Sequence, residues 1–412
     1  MTNHDEFWSR KQSAAVLKHA VLKNYLIPFT MMTAGVNSKF QAWFVDGYAG
    51  PGQYAPEEGG DSEGQDGSPA VALGVARFVA SRTPPRRLRC VFIEQDEEHV
   101  RSLEGFVSQH KDVRARVIHG PVQSELAGVV SEMGADPALT FLDPYGTALP
   151  YDLMRRSLLA RMAPKNEVLL NLHVTSLSRI GGILGRGENL TSADSRTLQR
   201  LDAFLGQDEW REVFLGTFRK SVEGTATAAA LEVASHFRAK VKKDTGYDSF
   251  AVDVRRAEGH VPLFQLTLFY RSGYAAYKFA DASSLGHAKW REFNMRAEAR
   301  RNGVMYADAL LGEDYTEEAF EEQFAHDEKA LRERLCHEVA SNIRELLHSR
   351  AELSLSRDSD IKAIYGDALG LAGEKHLRAA WDRLAVNGVA RRRDPAQKMQ
   401  HARIVRANSP AA

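Results

Sequence analysis

A short apolar run that stops at an acidic residue and a glycine-rich turn does most to limit what this chain can become. Ala42-Trp43-Phe44-Val45 is too short to stand as a helix and ends at Asp46-Gly47-Tyr48-Ala49-Gly50-Pro51-Gly52. A run bounded in this way reads as a parallel strand covered on both faces. The glycines let the backbone turn sharply and approach a ligand where a Cβ would obstruct it. A tight strand-to-helix turn with no ligand explains the same residues equally well.

Downstream, strand-like and helix-like segments alternate. Leu88 to Ile93 closes on Glu94, a helix runs through Val107, and Val113 to His119 is a third strand. A helix near residues 124–133 and a strand over 139–142 closing on Asp143 follow. Ser68-Pro69, an N-cap residue and a proline suited to the first helical position, opens a helix to about Arg82, after a Gly-, Glu- and Asp-rich loop over 56–67. The alternation predicts a parallel, doubly wound sheet. Residues 167–173 add a strand, and 176–245 are helical in pattern and read as an inserted or covering segment. Ser249 to Arg255 and Leu263 to Tyr270 flank the turn-like Ala257-Glu258-Gly259-His260, as an antiparallel hairpin at a sheet edge would. Ahead of the first strand, Phe7, Trp8, Leu17, Val21, Leu22, Tyr25 and Leu26 recur at helical spacing, predicting one or two helices laid on the domain.

At 412 residues the chain exceeds what one hydrophobic core serves. A large domain over 1–320 and a smaller one over 325–412 are expected. In the latter, two helices, a third from Glu374 to Asn387, then Gly388 and a basic strand-like pair around 389–393 and 403–406 resemble a winged helix-turn-helix. Leu377, Ala380, Trp381 and Leu384 share one face of that third helix, with Lys375, Arg378 and Arg383 elsewhere. The whole chain balances 54 Lys and Arg against 54 Asp and Glu, but residues 374–406 hold nine basic residues against three acidic ones, a net of about +6. Lys375, Arg378, Arg391, Arg392 and Arg393 are the candidate phosphate contacts. The bland alternative is a solvated wing on a protein-docking module.

Cys90 and Cys336 are the only cysteines, too few for a disulfide framework, a zinc knuckle or an iron–sulfur cluster held by this chain alone, so no metal site is expected. No phosphate loop of the Gly-Lys-Ser type, no His-Glu-x-x-His and no nucleophile elbow occurs. His19 and His173 stand beside apolar stripes and read as packing residues before catalytic ones. The N-terminus lacks the basic-then-apolar order of a signal peptide, and no apolar run reaches about 18 residues. A soluble, cytoplasmic protein with no membrane association is expected.

Three motifs fall at strand ends. The acidic-aromatic-Ala-Gly-x-Gly order of Asp46 to Gly52 resembles motif I of nucleic-acid methyltransferases dependent on S-adenosylmethionine (SAM). Glu94 stands where an acid accepts ribose hydroxyls. Phe141-Leu142-Asp143-Pro144-Tyr145-Gly146 resembles the Asp-Pro-Pro-Tyr motif of amino-methyltransferases, and more closely the Asp-Pro-Phe-Gly form of tRNA guanine-N2 dimethyltransferases. Such a motif accepts hydrogens from an exocyclic amine and stacks an aromatic ring on the base. Two departures stand out. His119-Gly120-Pro121 replaces the Asp or Asn that meets adenine, and tyrosine follows Pro144 directly where the amino-methyltransferases have a second proline.

With Phe7-Trp8-x-x-Lys11, Leu17-Lys18-His19 and Gly67-Ser68-Pro69 added, the chain resembles the three-Cys-motif partner family (TcmP), mostly over its first 150 residues. The resemblance implies a Rossmann-type, methyltransferase-like fold and a partner of the radical-SAM-like three-Cys type, related to phage Gp37/Gp68 proteins. It implies no reaction. The expected function is a SAM-dependent methyltransferase acting on nucleic acid, with an exocyclic base amine as acceptor. Asp46, Gly47, Tyr48, Gly50, Gly52 and Glu94 would hold the cofactor, and Asp143, Pro144 and Tyr145 the base. Two alternatives stay open: a non-catalytic adapter of the same fold that binds nucleic acid and the radical-SAM partner, and a small-molecule methyltransferase whose C-terminal unit docks a protein.

Overall fold

A computed structural model describes residues 13–36, 41–53, 66–144, 146–163, 165–220, 225–305 and 313–407, the side chains of 300–305 and 313–319 apart. The chain forms two units. Of the described residues, the first holds 13–15 and Leu26–Arg271, and the second Val16–Tyr25 together with the chain from Ser272 onward.

The first unit is a seven-stranded sheet in the order β3-β2-β1-β4-β5-β7-β6. Its strands are β1 (Ala42–Asp46), β2 (Leu88–Glu94), β3 (Ala115–His119), β4 (Ala138–Leu142), β5 (Asn166–His173), β6 (Asp248–Val254) and β7 (Phe264–Tyr270). The first five run parallel, while β7 pairs antiparallel with both β5 and β6. This is a Rossmann-like, doubly wound α/β arrangement, with the expected hairpin as β6 and β7. Every residue of β1 and β4 is buried, as in parallel strands covered on both faces, whereas the edge strand β6 alternates buried and half-buried positions.

A helix, α1 (Ser13–Thr33), precedes β1. After β1 come α2 (Ser68–Ala80), α3 (Glu97–Ser108) and α4 (Val122–Met133). Pro69 sits in the first turn of α2, where its missing N–H costs nothing. Asp96 caps α3 by accepting the N–H groups of Glu98 and His99, both at 3.0 Å. The segment expected to be inserted helix is α5 (Val174–Ile183), α6 (Ser192–Leu205), α7 (Trp210–Lys220) and α8 (Ala226–Thr245). Leu177, Phe214, Val233 and Phe237 from these helices share one core with Val168, Leu170 and Phe269 of the sheet. Burial of each such side chain contributes about 1.5–3 kcal/mol. Gly181 is fixed by this packing, because a Cβ there would stand 2.3 Å from the Phe214 ring.

In the second unit, α9 (Gly273–Met305) and α10 (Glu313–Ser349) precede β8 (Glu352–Ser354), α11 (Asp358–Tyr365), α12 (Glu374–Val386) and β9 (Arg403–Val405). Strands β8 and β9 are antiparallel. Residues 389–391 lie along the other side of β9: the Arg391 N–H donates to the Val405 carbonyl at 2.8 Å and the Ala407 N–H to the Val389 carbonyl at 3.0 Å. The sequence reading differs from this in three places. The unit begins at Ser272, ahead of the boundary near 325, while the two helices expected before Glu374 are present as α10 and α11. The basic segment 403–406 pairs with 352–354 as well as with its expected partner around 389. Finally, residues 16–25 of α1 belong to this unit, where Tyr25 meets Phe279 edge-on at 5.2 Å, instead of lying wholly on the sheet domain. Phe7, Trp8 and Lys11 lie outside the described residues.

Candidate functional site

The strand order changes direction between β1 and β4, and ligands of doubly wound sheets collect at the carboxyl ends of strands at such a point. Asp46 ends β1 level with Phe92 of β2 and Phe141 of β4. Its carboxylate is fully buried, and Oδ1 accepts the N–H of Tyr48 at 3.1 Å. The turn is tied to the two strands that flank β1: Gly47 N–H donates to the Phe141 carbonyl (2.9 Å), Ala49 N–H to the Ile93 carbonyl (3.0 Å), and Gly50 N–H to Oε2 of Glu94 (2.7 Å).

Glu94 does more than end β2. Its Oε1 accepts the N–H groups of Gln95 and Asp96, both at 2.9 Å. With Gly50 on Oε2, three of a carboxylate's roughly four acceptor positions are spent on backbone, leaving room for about one ribose hydroxyl. The glycines divide in a similar way. Gly50 (φ 63°) and Gly52 (φ 93°) adopt left-handed backbone, and a Cβ on Gly47 would meet Leu142 Cδ2 at 2.9 Å. Gly67 of Gly67-Ser68-Pro69 closes on this turn: its N–H donates to the Gly52 carbonyl at 3.2 Å, and Gln53 bridges Asp66. The two motifs, fifteen residues apart in the sequence, are one piece of structure. The left-handed backbone at Gly50 and Gly52 and the remaining acceptor position of Glu94 are what this end of the sheet offers a ligand.

Asp143 follows β4, with Asn171 beside it on β5, one residue past the Leu142–Leu170 pair. Asn171 Nδ2 donates to Asp143 Oδ1 at 2.7 Å, and His173 Nε2 stands 3.6 Å from the same oxygen, its ring edge-on to Phe264 at 4.5 Å. Burial, and then the Asp143 carboxylate, push the Tyr48 phenol up from its ordinary range. Pro144 is buried, and Gly146 turns the chain at φ 64°. Tyr145 lies outside the described residues. Asp143, Asn171, His173 and Tyr48 thus share one polar cluster. Asn171 was missed by sequence reasoning. A lone amide among Val168, Leu169, Leu170 and Leu172 was the signal available for it. His19, the other histidine considered, is buried in the second unit.

In the second unit the basic residues differ in availability. Leu377, Ala380, Trp381 and Leu384 form the buried face of α12, as expected. Arg378 is engaged by Glu374 through Nε (2.9 Å) and Nη2 (2.5 Å), and Arg393 by Asp382 at 2.9 Å. The backbone carbonyl of Arg391 accepts the Trp381 indole N–H at 2.7 Å. Lys375 and Arg392 are exposed. Among the described residues no group of three or more His, Cys, Asp or Glu is arranged to hold a metal ion, and no helix is long and apolar enough to cross a membrane. Both cysteines are free and buried.

No protein-family model matches the chain, and no curated protein sequence does. Among solved structures, cofactor-bound Rv0187 from MTB matches at 15% identity over 62% of this chain and 80% of its own, with a TM-score of 0.31. The methyltransferase domain of a bacterial Hen1 matches at 8% identity over 62% and 99%, with a TM-score of 0.30. A precorrin-6y C5,15-methyltransferase from Geobacter metallireducens matches at 10% over 60% and 86%, with a TM-score of 0.27. Likenesses this slight add nothing to what the chain's own topology and site support.

Proposed function

We propose that this chain is a SAM-dependent methyltransferase-like protein acting on nucleic acid, with an exocyclic base amine as acceptor. The observation that carries the reading is the convergence, at the ends of β1, β2 and β4, of the glycine turn, Glu94 and Asp143 with its polar neighbours. SAM supplies a methyl group on a sulfonium. The chain's part is to hold and orient. Asp46, Gly47, Tyr48, Gly50, Gly52 and Glu94 bind the cofactor. Asp143 accepts a hydrogen from the amine, while Pro144 and Tyr145 position the base. The 325–412 segment is proposed as a winged helix-turn-helix that grips phosphate through Lys375, Arg378 and Arg391 to Arg393, and the working partner as a radical-SAM-like three-Cys protein of the Gp37/Gp68-like type.

A second reading has its own observation. Glu94 spends most of its acceptor capacity on backbone, Gly67 is required by packing against the Gly52 carbonyl, and Gly52 is held by its left-handed backbone, as in a turn kept for the fold alone. That suits a non-catalytic adapter of the same fold, binding nucleic acid and the three-Cys partner. The two separate in one assay: transfer of labelled methyl from SAM to unmodified RNA and DNA, read by nucleoside mass spectrometry. The enzyme transfers methyl, and Asp143→Ala abolishes transfer while sparing cofactor binding. An adapter transfers none.

A further inference from the structure

Asn171 is 1% exposed. Its amide donates through Nδ2 to Asp143 Oδ1 at 2.7 Å, while Oδ1 of the same amide is sealed from solvent and has no hydrogen-bond partner. Holding Asp143 accounts for the nitrogen and not for the oxygen. A buried acceptor left unmade loses its hydration without return, and native structures keep such atoms rarely and for a reason. The Tyr48 hydroxyl is in the same condition, buried and without a partner, and feels the charge of the same carboxylate. One unmet polar atom therefore belongs to the residue bonded to Asp143 and a second feels its charge, at the strand ends where the cofactor turn also lies.

We propose that Asp143 and Asn171 form a two-acceptor seat for a primary amine, and that Asn171 is a second substrate-binding residue of the site. The inference rests on the methyltransferase reading and deepens it by naming the second side chain that meets the amine's hydrogens, a pairing that an oxygen acceptor cannot complete. A hydroxyl brings one hydrogen and leaves one acceptor unpaired. A primary amine satisfies both and, with both N–H bonds so engaged, presents its lone pair away from them. The residue types agree. An amine must be unprotonated to attack, and one carboxylate with one neutral amide favours ammonium less than two carboxylates would.

The test needs no knowledge of the natural substrate. Sinefungin has a carbon in place of the sulfur of SAM and carries an amine where SAM carries its methyl, whereas S-adenosylhomocysteine keeps the sulfur and carries no group there. Calorimetric titration of the full chain with each gives a preference ratio. The wild-type protein should prefer sinefungin by about ten-fold or more, Asn171→Leu should lose most of that ratio, and Asn171→Asp should keep it. In Asn171→Asp the paired carboxyls share a proton, which restores one donor to Asp143 and one free acceptor. No preference in the wild type, or a full preference in Asn171→Leu, overturns the seat while leaving the cofactor site standing. If Asn171→Leu fails to fold, loss of the preference in Asn171→Asp overturns it instead. If S-adenosylhomocysteine does not bind the wild type, the cofactor reading falls and the seat with it.

Discussion

Gly50 donates its backbone N–H to Oε2 of Glu94 at 2.7 Å, so the acid that ends β2 holds the turn that leaves β1. The two residues stand 44 positions apart, and the bond makes the turn's shape depend on a side chain from the neighbouring strand.

Replacing Glu94 therefore disturbs fold and binding together. Glu94→Ala removes the acceptor of three N–H groups and should cost about 1–3 kcal/mol of stability. Glu94→Gln, which keeps one acceptor oxygen, should fall between. Thermal melting of the full chain measures the first effect and S-adenosylhomocysteine titration the second. Unchanged melting in Glu94→Ala would mean the turn does not depend on this carboxylate.

The glycines of the two motifs should differ in what they tolerate. A Cβ at Gly67 meets the Gly52 carbonyl oxygen at 2.6 Å, backbone that cannot step aside, whereas at Gly47 the nearest atom is the end of a leucine side chain at 2.9 Å. Gly67→Ala should destabilise more than Gly47→Ala, whose cost is that of modest overpacking, about 1–3 kcal/mol. Melting temperatures of the two variants, side by side, decide the order.

Nucleic-acid binding by the second unit should rest on its exposed cations. Lys375→Glu and Arg392→Glu should each weaken binding to a DNA or RNA duplex and make the salt slope shallower by about one. Arg378→Gln, which gives up an ion pair with Glu374, should change the slope less. Fluorescence anisotropy across a salt series reads both effects. Unchanged slopes in the two charge reversals would remove this surface from the account.

His376 is buried, and its Nδ1 accepts the Gly373 N–H at 2.9 Å at the start of α12, a bond open only to the neutral ring. Burial first, then the nearby Lys375, Arg332 and Arg291, hold its pKa at about 4, against an ordinary 6.5. Because the unfolded chain takes up the proton first, stability is full above about 6.5 and declines as pH falls from there towards 4. The drop in melting temperature between pH 7 and pH 5 should shrink in His376→Gln. An equal drop in both proteins would remove His376 as its source.

The sheet was legible because β1 is a continuous apolar run and β4 one interrupted only by Thr140, closed by Asp46 and Asp143, a pattern that local chemistry imposes. The hairpin of β6 and β7 showed through its alternation. The limits of the second unit did not, since α9 and α10 are long helices that mark no boundary in composition. Within the site, strand-end residues could be placed from spacing alone. That Gly67 docks on Gly52 and Asn171 on Asp143 depends on tertiary register, which no local pattern carries.

The central claim is a SAM site at the turn, and calorimetric titration with SAM and with S-adenosylhomocysteine, beside Asp46→Ala, tests it most directly. The account predicts micromolar binding of both, about −8 kcal/mol, lost in Asp46→Ala while the variant still melts cooperatively. No binding by the wild-type chain, or equal binding by the variant, would contradict it.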